Sequence, residues 1–581
     1  MSGARDHSGI APPPAAAGRD GATDAAAAGT ATATAASAAR GTAWLIHALL
    51  AALVGLLFLG AHADGSYWWS DAPRHALNGV FVKDLVAAAP WSDPSRYAYD
   101  YYAQYPALTI LFYPPLFYAI SAPFYALFGV SEGTALLVVA LHYVAFVWGA
   151  WALFRCWLPA WPAAAAAAMV VLLPEIAFWG RQVMLEVPSL AFFIWSAALF
   201  TRYRHTGYAR PLLLYGAAAL LLLAMYTKLT AGFLALAFAG TLLYERRAAA
   251  LKDRHVWLAV LIACIGLIPL LVLTVKFGQA NIQSASGIND SLVSRRSLAG
   301  WLWYLRQFPG QLGWAVLAAG AAGALAIAAG AVRRRSLDGI GTLSRADAVF
   351  WLLWMVAGYL FFSAIDLKEA RHSVYILPPV VLAAVLLLMR LRQPRWRGAA
   401  LAALTAAVAL QTVLTRPVAY VGGYAEAAQL VAQKAPRDSS VLFSGYRDGS
   451  FVFNMRTHEE RRDLTVVRAD KILLNVAVRR ELGVKEHDLS EEDILAQIDS
   501  LNVSYLVVQP GFWNDLAVMQ RFERVLASGQ FEPVARIPTP NNVKAYETEL
   551  VVYRNKAPSG RRAGTRKLDL PIINRSIEAG K

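Results

Sequence analysis

Long apolar runs separated by short polar stretches dominate residues 43–416. They fall at 43–62, 133–153, 162–178, 188–201, 211–226, 230–244, 256–276, 312–332, 348–364, 373–389 and 399–416. Most are near the roughly 20 residues that cross the hydrocarbon of a bilayer as a helix. Beyond 416 the pattern shortens into alternating and amphipathic segments. It predicts helices over 423–435, 471–482, 490–501 and 512–527, and strands over 439–445, 450–456, 464–468, 503–509, 532–538 and 549–554. Ser490-Glu491-Glu492-Asp493 opens the third of these helices with a capping-box pattern.

One more apolar stretch, 107–129, competes to be a span. It carries Pro114, Pro115 and Pro123, with Pro106 just before it, and these oppose a continuous helix. Loop charge points the same way. If 107–129 lies along the outer surface, the loops on the N-terminal side of the membrane hold 16 Lys/Arg in 52 residues, against 10 in 125 on the other side. Counting it as a span inverts every later loop and breaks the positive-inside rule. The expectation is a polytopic α-helical membrane protein of about eleven spans, with juxtamembrane helices in a long first outer loop. In that loop, 72–88 puts Leu77, Val80, Phe81, Leu85 and Val86 roughly on one face, as an interfacial amphipathic helix would. Asp71 stands at its expected N-cap.

The expected organisation is a disordered cytoplasmic tail over 1–40, a membrane domain over 41–416, an extracytoplasmic α/β domain over 417–556 that folds by itself, and a basic disordered tail over 557–581. The first run is read as a retained signal anchor, because it lacks a small-residue cleavage site. Hydrophobic residues at 57% and charged residues at 16% argue against a soluble globule. The net charge of +15 is absorbed by the Arg-rich inner loops, so nucleic acid is not an expected partner. The two cysteines, Cys156 and Cys264, both lie in or beside membrane segments, which leaves no disulfide framework for the outer domain.

The polar residues that stand out all fall on the outer side. Asp71 sits in Tyr67-Trp68-Trp69-Ser70-Asp71-Ala72-Pro73-Arg74-His75, and reads either as a helix cap or as a general base beside the bilayer. Arg181 and Glu186 share a short loop; an ionisable residue at membrane depth needs a partner or a task. Lys228 ends one span just before the next. Asp366-Leu367-Lys368-Glu369-Ala370-Arg371-His372 gathers two cations, two anions and an imidazole in one loop. Arg371, with its planar fork, and Lys368, as a point charge, suit a phosphate. Arg74, His75, Tyr113, Glu369 and His372 complete the candidates. A divalent metal held by Asp71, Glu186, His75 or His372 stays open, since no ligand spacing demands one. No phosphate-cradling Gly loop or dinucleotide fingerprint is present.

In this order, these residues resemble the C superfamily of membrane glycosyltransferases. The nearer likeness is to the protein O-mannosyltransferase and aminoarabinose-transferase branch. That family places an acidic residue in the first outer loop (Asp71), a Pro-Pro-Leu turn before a juxtamembrane helix (Pro114-Pro115-Leu116), an Arg and an acid opening the fourth span (Arg181, Glu186), and a late outer loop (Arg371-His372, Leu377-Pro378). The chain departs from it in having Asp71-Ala72 where many relatives have Asp-Glu, and Tyr113 before the proline pair. The resemblance implies sugar transfer from a polyprenyl-phosphate donor to a glycan, lipid or protein acceptor on the outer face of the cytoplasmic membrane. Asp71 and Glu186 would be catalytic, and Arg371, Lys368, Arg181 and Lys228 would contact phosphate. Attack opposite the phosphate implies inversion. A transporter or flippase, or a non-catalytic scaffold for the outer domain, is the alternative; a transporter predicts internal repeats and mid-span charge.

Overall fold

The computed structural model describes the backbone of residues 20–278, 293–332, 343–476, 480, 483–560, 566–570 and 575–579. The chain forms two compact units, 1–49 and 50–581. Helix α1 (Asp20–Phe58) is apolar from Ser37 onward. Part of the expected disordered tail, 1–19, lies outside the described residues, and the helix begins within that tail.

In the second unit, α2 (Asp71–Ala88), α3 (Pro94–Gln104) and α4 (Leu116–Phe128) come before the next span. That span is α5 (Glu132–Phe154), followed by α6 (Ala160–Leu172), α7 (Pro174–Gly180), α8 (Glu186–His205), α9 (Pro211–Thr227) and α10 (Leu234–Arg246). Further helices run over Arg254–Phe277, Leu298–Leu312, Trp314–Val332, Arg345–Ser363, Leu377–Leu388 and Pro394–Thr415. A helix stands at each of the eleven expected places. By length and composition, however, six helices among the described residues are fit to cross a membrane, or up to eight if two bent pairs each count as one. The shortfall has local causes. Glu186, Arg202 and Arg204 charge both ends of α8, and α9 has only 17 residues. As expected for a segment that is not a span, α4 has 13 residues and is about 20 Å long, too short for the hydrocarbon. At the C-terminal end of α8, Arg204 bonds both oxygens of Glu245 at 2.9 Å and lies 3.1 Å from Asp347, fastening α8, α10 and Arg345–Ser363 together.

The C-terminal domain carries a five-stranded sheet. Strands β1 (Ser440–Ser444), β2 (Thr465–Arg468), β5 (Val503–Val508), β6 (Phe531–Pro538) and β7 (Glu549–Asn555) lie in the order β2-β1-β5-β7-β6; β3 (Leu474–Val476) and β4 (Val484–Glu486) form a separate pair. β1 runs parallel to β2 and β5, and β7 is antiparallel to both its neighbours. The Ser490–Asp493 capping box is formed, at the start of Glu491–Ser500. Two expectations change. Residues 448–457 are a helix rather than a strand, because Phe451, Val452, Phe453, Asn454, Met455 and Arg456 are all buried and burial on every side hides the period. The expected helix over 471–482 is replaced, where described, by a short helical turn (Ala469–Ile472) and β3. In the tail, expected to be disordered, β8 (Arg566–Leu570) pairs antiparallel with β9 (Arg575–Ala579).

Successive residues of each strand face opposite sides, and both sides are buried. Leu442, Val503, Leu506 and Val508 pack on Ile494, Ile498, Phe522 and Val525. On the other side, Val441, Phe443, Tyr505 and Val507 share one core with Tyr67, Leu77, Val80, Phe81 and Tyr118 of the segment between α1 and α5. That sheet face is thus covered by this segment together with Ala427, Val431 and Phe451 of the domain itself. This also changes the reading of α2. Instead of lying on lipid with a polar face out, it is buried nearly all round, and its polar residues Asn78 and Asp84 are buried too. Asn78 bonds Thr109, and Asp84 accepts from Arg456 Nη2 at 2.6 Å and Tyr101 at 3.0 Å. Arg74 reaches across to both oxygens of Asp448 at 2.8 Å. Two glycines permit the close approaches. A side chain at Gly79 would meet the Tyr125 ring, and Gly65, at φ +84°, lies against Asn454.

Candidate active site

Asp71 is the first residue of α2, not its cap. Ser70 holds the cap position and makes no side-chain capping bond, and the Asp71 carboxylate turns toward Arg371 instead. Arg371 comes from a 3₁₀ turn, Ala370–Ile376, that leads into a span. Buried Gln311 fixes that turn by donating to Ala370 O at 2.7 Å and Ser373 Oγ at 2.8 Å. Glu186 comes from the first turn of α8, and Lys228 from the break after α9.

These elements bring four residues chosen from the sequence into one cluster, with Glu369 beside them. Arg371 Nη2 is 3.2 Å from Asp71 Oδ2, Nη1 is 3.5 Å from Glu186 Oε1, and Nε is 2.5 Å from Glu369 Oε2. Lys228 Nζ donates to Glu186 Oε1 at 2.6 Å. The other Glu186 oxygen, Oε2, is buried without a hydrogen-bond partner, an expensive condition for a carboxylate. Trp69 and Trp179 flank the guanidinium at 5.3 and 5.0 Å, within cation–π range. Trp69 Nε1 also donates to Asp71 Oδ2 at 3.2 Å. Neither tryptophan stood out in the sequence, where Trp enrichment at run ends reads as interfacial anchoring.

Burial alone would raise the Asp71 carboxyl, but Arg371, with His75 and Arg74, holds it below the ordinary carboxylate range. His75 is buried, and desolvation pushes it down to about 4 despite Asp71 nearby, so its ring is neutral at pH 7. It bonds the Tyr118 hydroxyl at 2.9 Å and lies edge-on to Tyr113, 4.7 Å away. Burial likewise raises the Tyr113 phenol well above its usual value.

Other candidates lie elsewhere or are engaged. Arg181 donates to the carbonyls of Ala177 and Arg416. Arg74 is taken up by Asp448 and by Ser70 O. Lys368 donates to Ser363 O at 2.6 Å, and burial lowers its ammonium to about 8. His372 lies 3.8 Å from Glu369. The donor set fits a metal poorly. A guanidinium bridges Asp71 and Glu186, and among the described residues no three His, Cys, Asp or Glu side chains converge as ligands.

Residues 113–273 match the family model described as dolichyl-phosphate-mannose-protein mannosyltransferase. Along most of its length the chain superposes on the crystal structure of ArnT from Cupriavidus metallidurans bound to undecaprenyl phosphate. The TM-score is 0.59 at 16% identity, covering 90% of this chain and 100% of that one. The chain shares the fold of that structure. The expected resemblance to enzymes that use polyprenyl-phosphate sugars is thus met by both family model and fold. A more distant likeness is to the Archaeoglobus fulgidus oligosaccharyltransferase in its apo form, with TM-score 0.50 and 12% identity over 88% of this chain and 76% of that one. No curated protein matches the chain.

Proposed function

We propose that the protein transfers a sugar from a polyprenyl-phosphate donor to an acceptor at the extracytoplasmic face of the cytoplasmic membrane, with inversion at the anomeric carbon. The observation that carries this reading is Arg371, buried between two tryptophans and shared by Asp71 and Glu186. Two cations, Arg371 and Lys228, face three carboxylates there, Asp71, Glu186 and Glu369. An incoming donor phosphate competes with those carboxylates for the guanidinium, whose fork suits phosphate oxygens.

That competition supports a role for Asp71 as a base. With Arg371 drawn to phosphate, the counter-charge that depresses Asp71 is spent elsewhere, and burial raises its basicity. Asp71 then takes the proton from an acceptor O–H or N–H as the acceptor atom bonds to the anomeric carbon. The bond from that carbon to the phosphate oxygen breaks with its electron pair, and polyprenyl phosphate leaves against Arg371 and Lys228. Glu186 holds Lys228 in place. An apolar cavity of about 400 Å³, lined by Leu141, His142, Ala191, Phe192 and Trp195, gives a prenyl chain room. Phe192 is six residues, roughly 9 Å, along α8 from Glu186.

The test is transfer from synthetic polyprenyl-phosphate sugars by purified protein, with the anomeric configuration of the product read by NMR. Retention would overturn the single-displacement mechanism, and no turnover with any donor would overturn the reading itself.

A further inference from the structure

The α/β domain has a second feature that sugar transfer does not use. Its first parallel strand, β1, has β2 on one side and β5 on the other. The chain leaves the carboxyl ends of β1 and β5 side by side at this reversal of strand order, the place where open α/β sheets build ligand crevices. Buried Gln509 ties the two exits together, donating from its backbone to Ser444 O at 2.8 Å and accepting at its side-chain oxygen from Tyr446 N at 3.1 Å.

Aromatic rings gather at this point. Tyr446 follows β1, and Phe512 and Trp513 follow β5. Tyr446 meets Phe512 edge-on at 4.9 Å, Phe512 stacks on Trp513 at 4.7 Å, and Tyr546 lies 5.6 Å from Tyr446. Tyr446 is 41% exposed and Tyr546 is 80% exposed, while Phe512 beside them is buried. Trp513 sits at φ +53°, a left-handed backbone that a bulky residue adopts at a cost. The Arg480 guanidinium stacks over it at 5.0 Å and pairs with Asp515. Conformational strain, exposed rings and a charged fork at one switch point describe a built surface rather than scattered apolar residues.

We propose that this platform binds a glycan, seating sugar rings on the exposed Tyr446 and Tyr546 while Trp513, stacked between Phe512 and Arg480, buttresses them and Arg480 and Asp515 hydrogen-bond the sugar hydroxyls. Flat amphipathic rings offer apolar faces to the C–H face of a sugar, with polar tips and charged neighbours for its rim. A peptide strand would need an open sheet edge, and β1 and β5 are interior strands. Asp515 and the exposed Asn514 suit hydroxyls better than the phosphates of a membrane surface. The platform also connects to the candidate active site. Arg447, next to Tyr446, pairs with Glu547, next to Tyr546, and donates to Trp68 O. The Trp68 ring packs on Trp69 and Trp179, which flank Arg371. A glycan seated here would extend toward Asp71 as the acceptor; only this acceptor role rests on the transferase reading, and the binding does not.

The test uses the full chain in detergent. Tryptophan fluorescence and calorimetry would follow titration with tetra- to hexasaccharides of mannose, glucose, arabinose and N-acetylglucosamine. At least one series is expected to bind, and Tyr546→Ala and Trp513→Ala to weaken it about tenfold or more. Undecaprenyl-phosphate binding by both variants should stay at the wild-type level, which reports an intact fold. No binding in any series, or wild-type affinity in Tyr546→Ala, overturns the proposal. So does loss of binding to phosphatidylglycerol vesicles in place of sugar, which would make the platform a membrane contact. Oligosaccharide binding without donor turnover would uphold the platform while removing the transferase reading.

Discussion

Helix α2 presents two aspartates to two buried arginines, and the pairs are built differently. At its far end, Asp84 is 2% exposed and Arg456 is fully buried. Asp84 accepts from Arg456 through both Nε and Nη2 and from Tyr101, with Lys83 and Arg462 each 3.5 Å away. At its start, Asp71 keeps 22% of its side-chain surface and reaches Arg371 through one 3.2 Å contact, while Arg371 is shared among three acids. The first pair is held by two bonds from one guanidinium and joins two layers of one core, although Arg456 Nη1, 3.1 Å from Glu459, has no hydrogen-bond partner. The second divides one guanidinium among three acids and leaves Glu186 Oε2 without a partner. Neither burial nor a single unpartnered atom separates the two pairs. How the guanidinium is shared does.

The comparison breaks most readily at Asp71. Asn replaces Asp without loss of size, and Ser70 already makes no capping bond for Asp71→Asn to disturb. Turnover is expected to fall by about 10²–10⁴-fold, the usual contribution of a general base, with the melting temperature in detergent nearly unchanged. Near-wild-type turnover would make Asp71 an ordinary partner of Arg371. The opposite profile is expected at the other pair. Arg456→Met takes both guanidinium bonds from buried Asp84 and leaves it Tyr101 with Lys83 and Arg462 at 3.5 Å, which should destabilise the fold by up to about 3–5 kcal/mol in thermal or denaturant unfolding. If stability held while turnover collapsed, the two roles would be reversed.

A pH test lies between them. His75 has a folded value of about 4 against an ordinary 6.5, so between those values the unfolded chain binds the extra proton. Stability from this group is therefore present above about pH 6.5 and lost as pH falls toward 4, a change of about 3 kcal/mol at most. His75→Gln should flatten the acid limb of a stability–pH curve, and an unaltered limb would assign acid sensitivity to other groups. The smallest expected effect is Arg371→Lys. It keeps the charge but loses the fork, so affinity for undecaprenyl phosphate should drop about 10- to 100-fold, the worth of one charge-assisted hydrogen bond. Unchanged affinity would take Arg371 out of phosphate contact.

Patterns with a short period were legible in the sequence. Short apolar, β-branched and aromatic runs in 439–445 and 503–509 marked β1 and β5, the Ser490–Asp493 pattern marked a helix start, and proline spacing marked 107–129 as no ordinary span. Residues 448–457 were not legible, because a short helix enclosed on every side carries no polar face to set its period. The site divides in the same way. Asp71, Glu186, Lys228 and Arg371 stand out because ionisable residues at membrane edges are costly. Which cation meets which acid depends on long-range packing, so Arg181 and Lys368 gave no sign that backbone carbonyls would occupy them. Trp69 and Trp179 were masked by the many tryptophans that merely anchor a membrane protein.

The single core shared by the sheet and the segment between α1 and α5 bears on how such chains can be recombined. A chimaera cut at residue 417 looks modular on paper, yet it would place a foreign sheet on a loop shaped for another. The transferable part is discontinuous: residues 64–130 together with 417–556. The membrane helices between them form the frame that stays behind. Exchanging that split unit between related chains would carry the sheet and its covering loop as one piece, leaving Glu186, Lys228 and Arg371 with the recipient and bringing Asp71 from the donor. Each such hybrid is therefore also a complementation assay across the two halves of the cluster.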